Sequence, residues 1–138
     1  TPGTLILNMR DNRGGFRSVA TTSDMGSNWT EHPTSFKALP DPVCMGSIIK
    51  ASVKVKGSMK DVLFFSNPNT SSGRYNITIK ASLDMGETWL PANELLVDER
   101  PCYGYSSLVR VDDHTVGLLY EGTRDLYFVK VGVDEIIK

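Results

Sequence analysis

Thr22-Ser23-Asp24-Met25-Gly26-Ser27-Asn28-Trp29 and Ser82-Leu83-Asp84-Met85-Gly86-Glu87-Thr88-Trp89 are two copies of one pattern, Ser/Thr-x-Asp-x-Gly-x-x-Trp. Each residue type in it suits a tight turn. The Asp carboxylate caps backbone N–H groups, the Gly accepts a backbone shape that other residues resist, and the Trp pins the loop to a sheet. Runs of β-type residues, Phe16 to Thr21 and Tyr75 to Ala81, precede the two copies, so each box is expected to close a hairpin. A repeated unit that cannot bury its own apolar face must stack on its neighbours. The pattern therefore speaks for a repeat architecture and carries no chemistry of its own.

Outward from the boxes, the rest of the chain also reads as strands. Thr4-Leu5-Ile6-Leu7-Asn8-Met9 is almost wholly apolar and is expected to be buried on both faces. The polar run 11–15 turns the chain, and Thr30 to Met45, with Pro33, Pro40 and Pro42, reads as a loop or edge connection. Ser47 to Val53 and Asp61 to Ser66 form a pair around a Lys-Gly-Ser turn. In Tyr75 to Ala81 the apolar residues Tyr75, Ile77 and Ile79 alternate with Asn76, Thr78 and Lys80, which predicts one buried and one polar face. Ser106–Val111, Thr115–Tyr120 and Asp125–Val131 complete about nine strands, and no helical period runs beyond one turn. The fold class is all-β.

Composition narrows the function. Fifteen basic and 16 acidic residues nearly cancel, which argues against a nucleic-acid footprint or a polybasic membrane patch. No apolar run approaches the roughly 20 residues of a membrane span. Two cysteines, Cys44 and Cys102, are too few for a disulfide framework, suit no zinc site and read as packing residues. The sequons at Asn28, Asn69 and Asn76 read as chance matches, since Asn28 lies in a box and Asn76 in a strand. A propeller blade takes roughly 40–50 residues and a ring four to eight blades. The 138 residues thus supply about two and a half to three blades, and Thr1 is expected not to be a natural N-terminus.

Chemistry must lie in what does not repeat. Arg17 and Arg74 occupy similar places, at the start of the strand ahead of each box. A guanidinium grips a planar carboxylate through two parallel hydrogen bonds, so two arginines converging on one pocket suit an acidic ligand. Ordinary surface salt bridges are the competing account. In Cys102-Tyr103-Gly104-Tyr105-Ser106-Ser107-Leu108 a tyrosine stands at the mouth of a strand, where packing aromatics are also common.

Taken in order, these features resemble the C-terminal half of the catalytic β-propeller of sialidases. The matching residues are Asn8-Met9-Arg10, Gly15-Phe16-Arg17-Ser18-Val19 and the first box, then Ser66-Asn67-Pro68, Arg74 to Ile79 and the second box. Gly104-Tyr105-Ser106 and Leu118-Leu119-Tyr120-Glu121 end the series. The resemblance implies a partial six-bladed propeller, with residues 1–138 as the C-terminal part of a catalytic domain. It implies an exo-α-sialidase that releases terminal sialic acids with retention through a tyrosyl intermediate, without cofactor or metal. Arg17 and Arg74 then match two members of an arginine triad that holds the substrate carboxylate, with Arg13 as competitor for the first of these roles. Tyr105 matches the nucleophile, with Tyr103 as the weaker candidate, and Glu121 a glutamate that steadies the remaining arginine. That arginine, the acid/base Asp and the Glu that activates the tyrosine would precede Thr1, so the chain alone is expected to be inactive. The implied partners are sialylated glycans and the N-terminal half of the same propeller. The implied location is secreted, periplasmic or cell-surface rather than cytoplasmic. A trans-sialidase, and a non-catalytic Asp-box propeller that binds glycan or protein, are the alternatives.

Overall fold

A computed structural model of the chain describes residues 3–138; Thr1, expected not to be a natural N-terminus, lies outside the described residues. The chain is all-β. It begins with β1 (Leu5–Met9), β2 (Gly15–Phe16), β3 (Ser18–Thr22), β4 (Thr30–Glu31) and β5 (Pro40–Asp41). Strands β1, β3 and β4 make an antiparallel sheet, and β2 pairs with β5 beside it. Then β6 (Ser47–Val55), β7 (Ser58–Pro68), β8 (Ile77–Ser82) and β9 (Glu94–Asp98) form a four-stranded antiparallel meander. The third sheet, β10 (Ser106–Arg110), β11 (Thr115–Glu121) and β12 (Leu126–Gly132), is followed by a single helical turn, α1 (Val133–Ile136). These three successive antiparallel sheets do not close on themselves, the arrangement of a partial β-propeller.

The middle sheet is sealed on both sides, because it has a neighbour on each. Val53, Val62, Phe64, Ile77, Ile79, Leu118, Val116 and Ile136 form the core between the second and third sheets. On the other face Phe65, 1% exposed, lies beneath Trp89 at 6.0 Å between ring centroids. All six residues of β8 are buried, which corrects the expectation of one polar face. Lys80 pairs with Glu94 at 3.3 Å and Thr78 donates to the Asn76 carbonyl. The outer sheets are open by contrast. Leu5 and Leu7 are 47% and 43% exposed, so β1 is not buried on both faces in this chain.

Both boxes fold as their chemistry requires. Asp24 Oδ1 accepts from the Asn28 N–H (2.9 Å) and the Thr22 hydroxyl (2.7 Å), and Asp84 Oδ1 accepts from the Thr88 N–H (2.9 Å) and the Ser82 hydroxyl (2.7 Å). The Thr22 and Ser82 oxygens in turn accept from the N–H groups of Gly26 and Gly86. The hydrogen bonds from Asn28 and Thr22 hold the Asp24 pKa down to about 2. The ring of Trp29 lies over Gly26.

Some boundaries differ from the sequence reading for local reasons. The strand expected from Phe16 breaks at Arg17, whose N–H and carbonyl bond Leu39 and Phe36 instead of the ladder. The strand expected from Tyr75 starts at Ile77, because Asn76 takes a left-handed φ of 58°. The hairpin of β6 and β7 runs longer than expected, around Lys56-Gly57, both with positive φ as a tight hairpin turn needs. Ser82 supports a prediction. Its hydroxyl is 1% exposed and serves two box partners, so Ser82→Ala leaves the Gly86 N–H unpaired. Thermal unfolding is expected to show a loss of about 1–3 kcal/mol. An unchanged melting temperature would mean that the box does not hold the hairpin.

Candidate functional site

The box turns follow the ends of β3 and β8. The residues singled out for chemistry gather at the opposite end, where β1, β7, β9 and β11 finish and β3, β8 and β10 start. The segment Val43–Cys44, just after β5, is the hub there. The Arg74 Nη2 donates to the Val43 carbonyl (3.0 Å) and its Nη1 to the Tyr103 carbonyl (2.8 Å). The Arg17 Nη1 donates to the Cys44 carbonyl (2.5 Å). Two guanidinium groups from different sheets are thus anchored on adjacent carbonyls.

Their surroundings differ sharply. Arg17 is 4% exposed. Its Nε donates to the Asn8 side chain (2.7 Å), Nη2 to the Asn8 carbonyl (3.3 Å), and Nη1 also to Asp41 Oδ1 (3.4 Å). Asp41 is wholly buried and also accepts from Asn67 Nδ2 (2.9 Å) and the Cys44 N–H (3.0 Å). Burial pushes the Arg17 pKa down, the Asp41 charge opposes this, and nearby Arg10 adds to the push. With its donors engaged and its surface covered, Arg17 as placed presents nothing to a ligand. Arg10, one step beyond β1, is exposed and makes no hydrogen bond among the described residues. The signal for Arg10 was the Asn8-Met9-Arg10 run at a strand end. Arg13, the competitor to Arg17 in the sequence reading, pairs with Asp11 through Nε and Nη2 and lies over the Phe36 ring, so its charge is already matched.

Arg74 reaches the tyrosine. Its guanidinium carbon sits 5.7 Å from the centroid of the Tyr105 ring. Tyr105 is 37% exposed, and its backbone is clamped by Glu121 in both directions. The Tyr105 N–H donates to Glu121 Oε2 (3.1 Å), and the Glu121 N–H donates to the Tyr105 carbonyl (2.9 Å). Glu121 therefore holds the tyrosine's strand, and it makes no ion pair with an arginine among the described residues. Tyr103, 63% exposed, is fixed through its N–H to the Gly122 carbonyl (3.0 Å). Between the tyrosines, Gly104 has φ 92°, and a side chain there would come within 2.7 Å of Pro68 and 3.1 Å of the Cys44 sulfur. Only glycine lets this strand mouth pass so close to the hub. Cys44 and Cys102 are free thiols, and burial raises both pKa values.

Electrostatically the cluster is cationic. Arg13, Arg100 and Arg110 each pair with a carboxylate two or three residues away. Arg74 and Arg10 have none among the described residues, a property they share with Arg124 in the exposed turn before β12. An anion with a planar face is the ligand that suits Arg74 beside a hydroxyl-bearing ring. No group of His, Cys, Asp and Glu among the described residues has the geometry of a metal site.

The chain has close relatives. It is 54% identical over 138 residues, 99% of this chain, to a curated sialidase of Bacteroides fragilis (strain YCH46), of which it covers 25%. It is 37% identical over 122 residues, 86% of this chain, to a curated sialidase of Micromonospora viridifaciens, of which it covers 18%. Among solved structures, the Hadza microbial sialidase Hz136 superposes with a TM-score of 0.90 at 50% identity. That match covers 99% of this chain and 27% of the other. The chain thus spans a quarter or less of the length of these curated relatives, and no protein-family model matches it.

The two arginines make separable predictions. Arg17→Met would leave the buried Asp41 without its cation and is expected to destabilise the protein by about 3–5 kcal/mol. Arg10→Ala, at an exposed position, is expected to stay within about 0.5 kcal/mol. Denaturant titration of both variants measures this, and equal effects would contradict the burial difference.

Proposed function

This chain is a segment of the sialidase family, homologous over nearly its whole length, and we propose that the protein containing it is an exo-α-sialidase. Residues 1–138 would be the C-terminal part of its catalytic propeller. The substrate would be a terminal α-linked sialic acid on a glycoconjugate, cleaved with retention through a tyrosyl intermediate. The observation that carries the reading is Arg74, without a carboxylate partner among the described residues and 5.7 Å from the Tyr105 ring, at the end of the sheets away from both boxes. Sialylated glycans are displayed outside cells, which supports a secreted, periplasmic or cell-surface protein.

The roles follow from chemistry. A sialoside carries a carboxylate on the anomeric carbon, and Arg74 would hold it by charge-assisted hydrogen bonds. The neutral phenol of Tyr105 approaches such a centre without the repulsion that a carboxylate nucleophile would meet; tyrosine nucleophiles are a recognised exception among glycosidases for this substrate. The Tyr105 oxygen would bond to the anomeric carbon as the bond to the leaving glycan breaks, the departing oxygen taking a proton from a general acid outside residues 1–138. The phenol proton would pass to a general base outside residues 1–138. Glu121 keeps the Tyr105 backbone in register for this attack. Arg17 is read as the carboxylate's second anchor only if it leaves Asp41; Arg10, uncovered beside it, meets the same need without that cost.

Mutation separates the roles in the intact protein. Arg74→Ala is expected to weaken substrate binding by about 1.5–3 kcal/mol, seen mainly in KM. Tyr105→Phe is expected to leave binding near normal and to reduce kcat by orders of magnitude. Near-normal turnover by Tyr105→Phe would remove the tyrosine from the chemistry.

The 138-residue chain by itself is expected to be inactive. Two outer sheets expose apolar rows, Leu5 and Leu7 on one side and Val109, Leu119 and Phe128 (48%, 42% and 54%) on the other. Such rows call for neighbouring blades, and the N-terminal half of the propeller is the proposed occupant. Hydrolysis of a fluorogenic sialoside by the purified chain would refute the dependence; restored activity on mixing with the N-terminal half would support it.

A further inference from the structure

A groove of about 360 Å³ opens between the second and third sheets, at the same end as Tyr105. Asp98 at the end of β9, Arg100 and Pro101 line one wall, and Gly122, Thr123 and Tyr127 the other. Pro101 is joined to Tyr105 by only three residues, Cys102, Tyr103 and Gly104, so the groove lies within about 14 Å of that tyrosine along the chain. The Tyr103 N–H bond to the Gly122 carbonyl ties the two places together.

The chemistry of the walls is specific. Arg100 donates through Nε and Nη2 to both oxygens of Asp98 (2.9, 3.2 and 2.6 Å), so its charge is neutralised and the groove does not select an anion. The Tyr120 hydroxyl, donating to Asp98 Oδ2 (3.0 Å), completes the carboxylate's partners. What is left over among the described residues is Nη1 of Arg100 and the exposed hydroxyl of Thr123. Beside them stand the apolar flank of Pro101 and the edge of Tyr127. That ring stacks with Tyr120 (centroids 5.4 Å apart), and the Arg100 guanidinium lies over it at 5.1 Å from its centroid. The stack makes the wall rigid. A rigid, mostly apolar groove with a few convergent donors and no net charge suits a neutral pyranose.

We propose that this groove is a saccharide subsite, taking the neutral leaving portion of a sialylated glycan while the sialic acid lies at Arg74 and Tyr105. The proposal rests on the sialidase reading of that site. It makes Arg100 and Thr123 determinants of preference for extended glycans over small artificial substrates.

The test has two readouts in the intact protein. In the first, binding of lactose, a neutral disaccharide, is followed by saturation-transfer NMR for the unsubstituted protein, Thr123→Trp and Arg100→Ala. Thr123 is exposed, so the tryptophan obstructs the groove without disturbing a core, and loss of the lactose signal in that variant is the expected result. In the second, kcat/KM for a sialylated trisaccharide is compared with that for an aryl sialoside. The ratio is expected to fall about tenfold in Thr123→Trp. Lactose binding that survives Thr123→Trp, absent lactose binding, or an unchanged ratio would overturn the subsite. Absence of turnover with either substrate in the unsubstituted protein would instead strike the sialidase reading, and the lactose measurement would still decide the groove.

Discussion

The buried ion pair of Arg17 and Asp41 is the contact on which the candidate site depends. A charge moved out of water carries several kcal/mol of desolvation cost unless its hydrogen-bonding capacity is filled. Here it is filled. Asp41 accepts from Arg17, Asn67 and the Cys44 N–H, and Arg17 adds the Asn8 side chain and two carbonyls. These bonds join β1, the segment after β5 and the end of β7, which belong to two sheets. They also fix the Val43–Cys44 backbone, whose carbonyls hold the two guanidinium groups. The position of Arg74 over Tyr105 is thus inherited from a pair that touches neither. Among the described residues two buried amide oxygens at this end lack a partner, Asn67 Oδ1 and Asn69 Oδ1, both neutral acceptors and a smaller cost than an unpaired charge.

What the sequence made legible was local. A box is read from eight residues because its hydrogen bonds run between residues two and four apart, and both boxes formed as read. Tyr105 was singled out only by the resemblance of its stretch to a family pattern; by itself a tyrosine beside a glycine reads as a packing aromatic, and the close backbone approach at Gly104 is seen only in the fold. Burial was not legible, because it is decided by neighbours far along the chain. Arg17 reads as a cation at a strand mouth until Leu39, Asp41 and Cys44 fold over it. Lys80 reads as a solvent-facing residue until Glu94, on a strand the sequence reading did not include, covers it. Likewise β1 reads as doubly buried from its composition, yet exposure depends on a neighbour that this chain does not supply.

Stability and chemistry therefore divide between the sheets. The middle sheet, with Phe64 and Phe65 on opposite faces and each nearly fully buried, has a complete core. It carries the Arg74 loop at one end and the second box at the other. The outer sheets bring Arg10 and Tyr105 towards that loop, yet each leaves one apolar face uncovered. A site assembled at the junctions of sheets inherits the rigidity of the packing between them.

Charge matching separates the arginines that serve the fold from those available to a ligand. Arg13, Arg100 and Arg110 pair with carboxylates two or three residues away at the solvent-facing surface, where screening leaves such pairs contributing little to stability. Arg17 is matched in the interior, where its pair is costly to break. Arg74 falls in neither group. Its partners are carbonyl oxygens, which orient the guanidinium without cancelling its charge, and it stands at a half-buried position beside an aromatic face. At an effective dielectric near 20, a carboxylate about 4 Å from it would gain on the order of 4 kcal/mol of attraction, against about 1 in bulk water. On the proposed reading, an arginine fixed by dipoles and without a carboxylate partner among the described residues is organised for an incoming anion before the anion arrives.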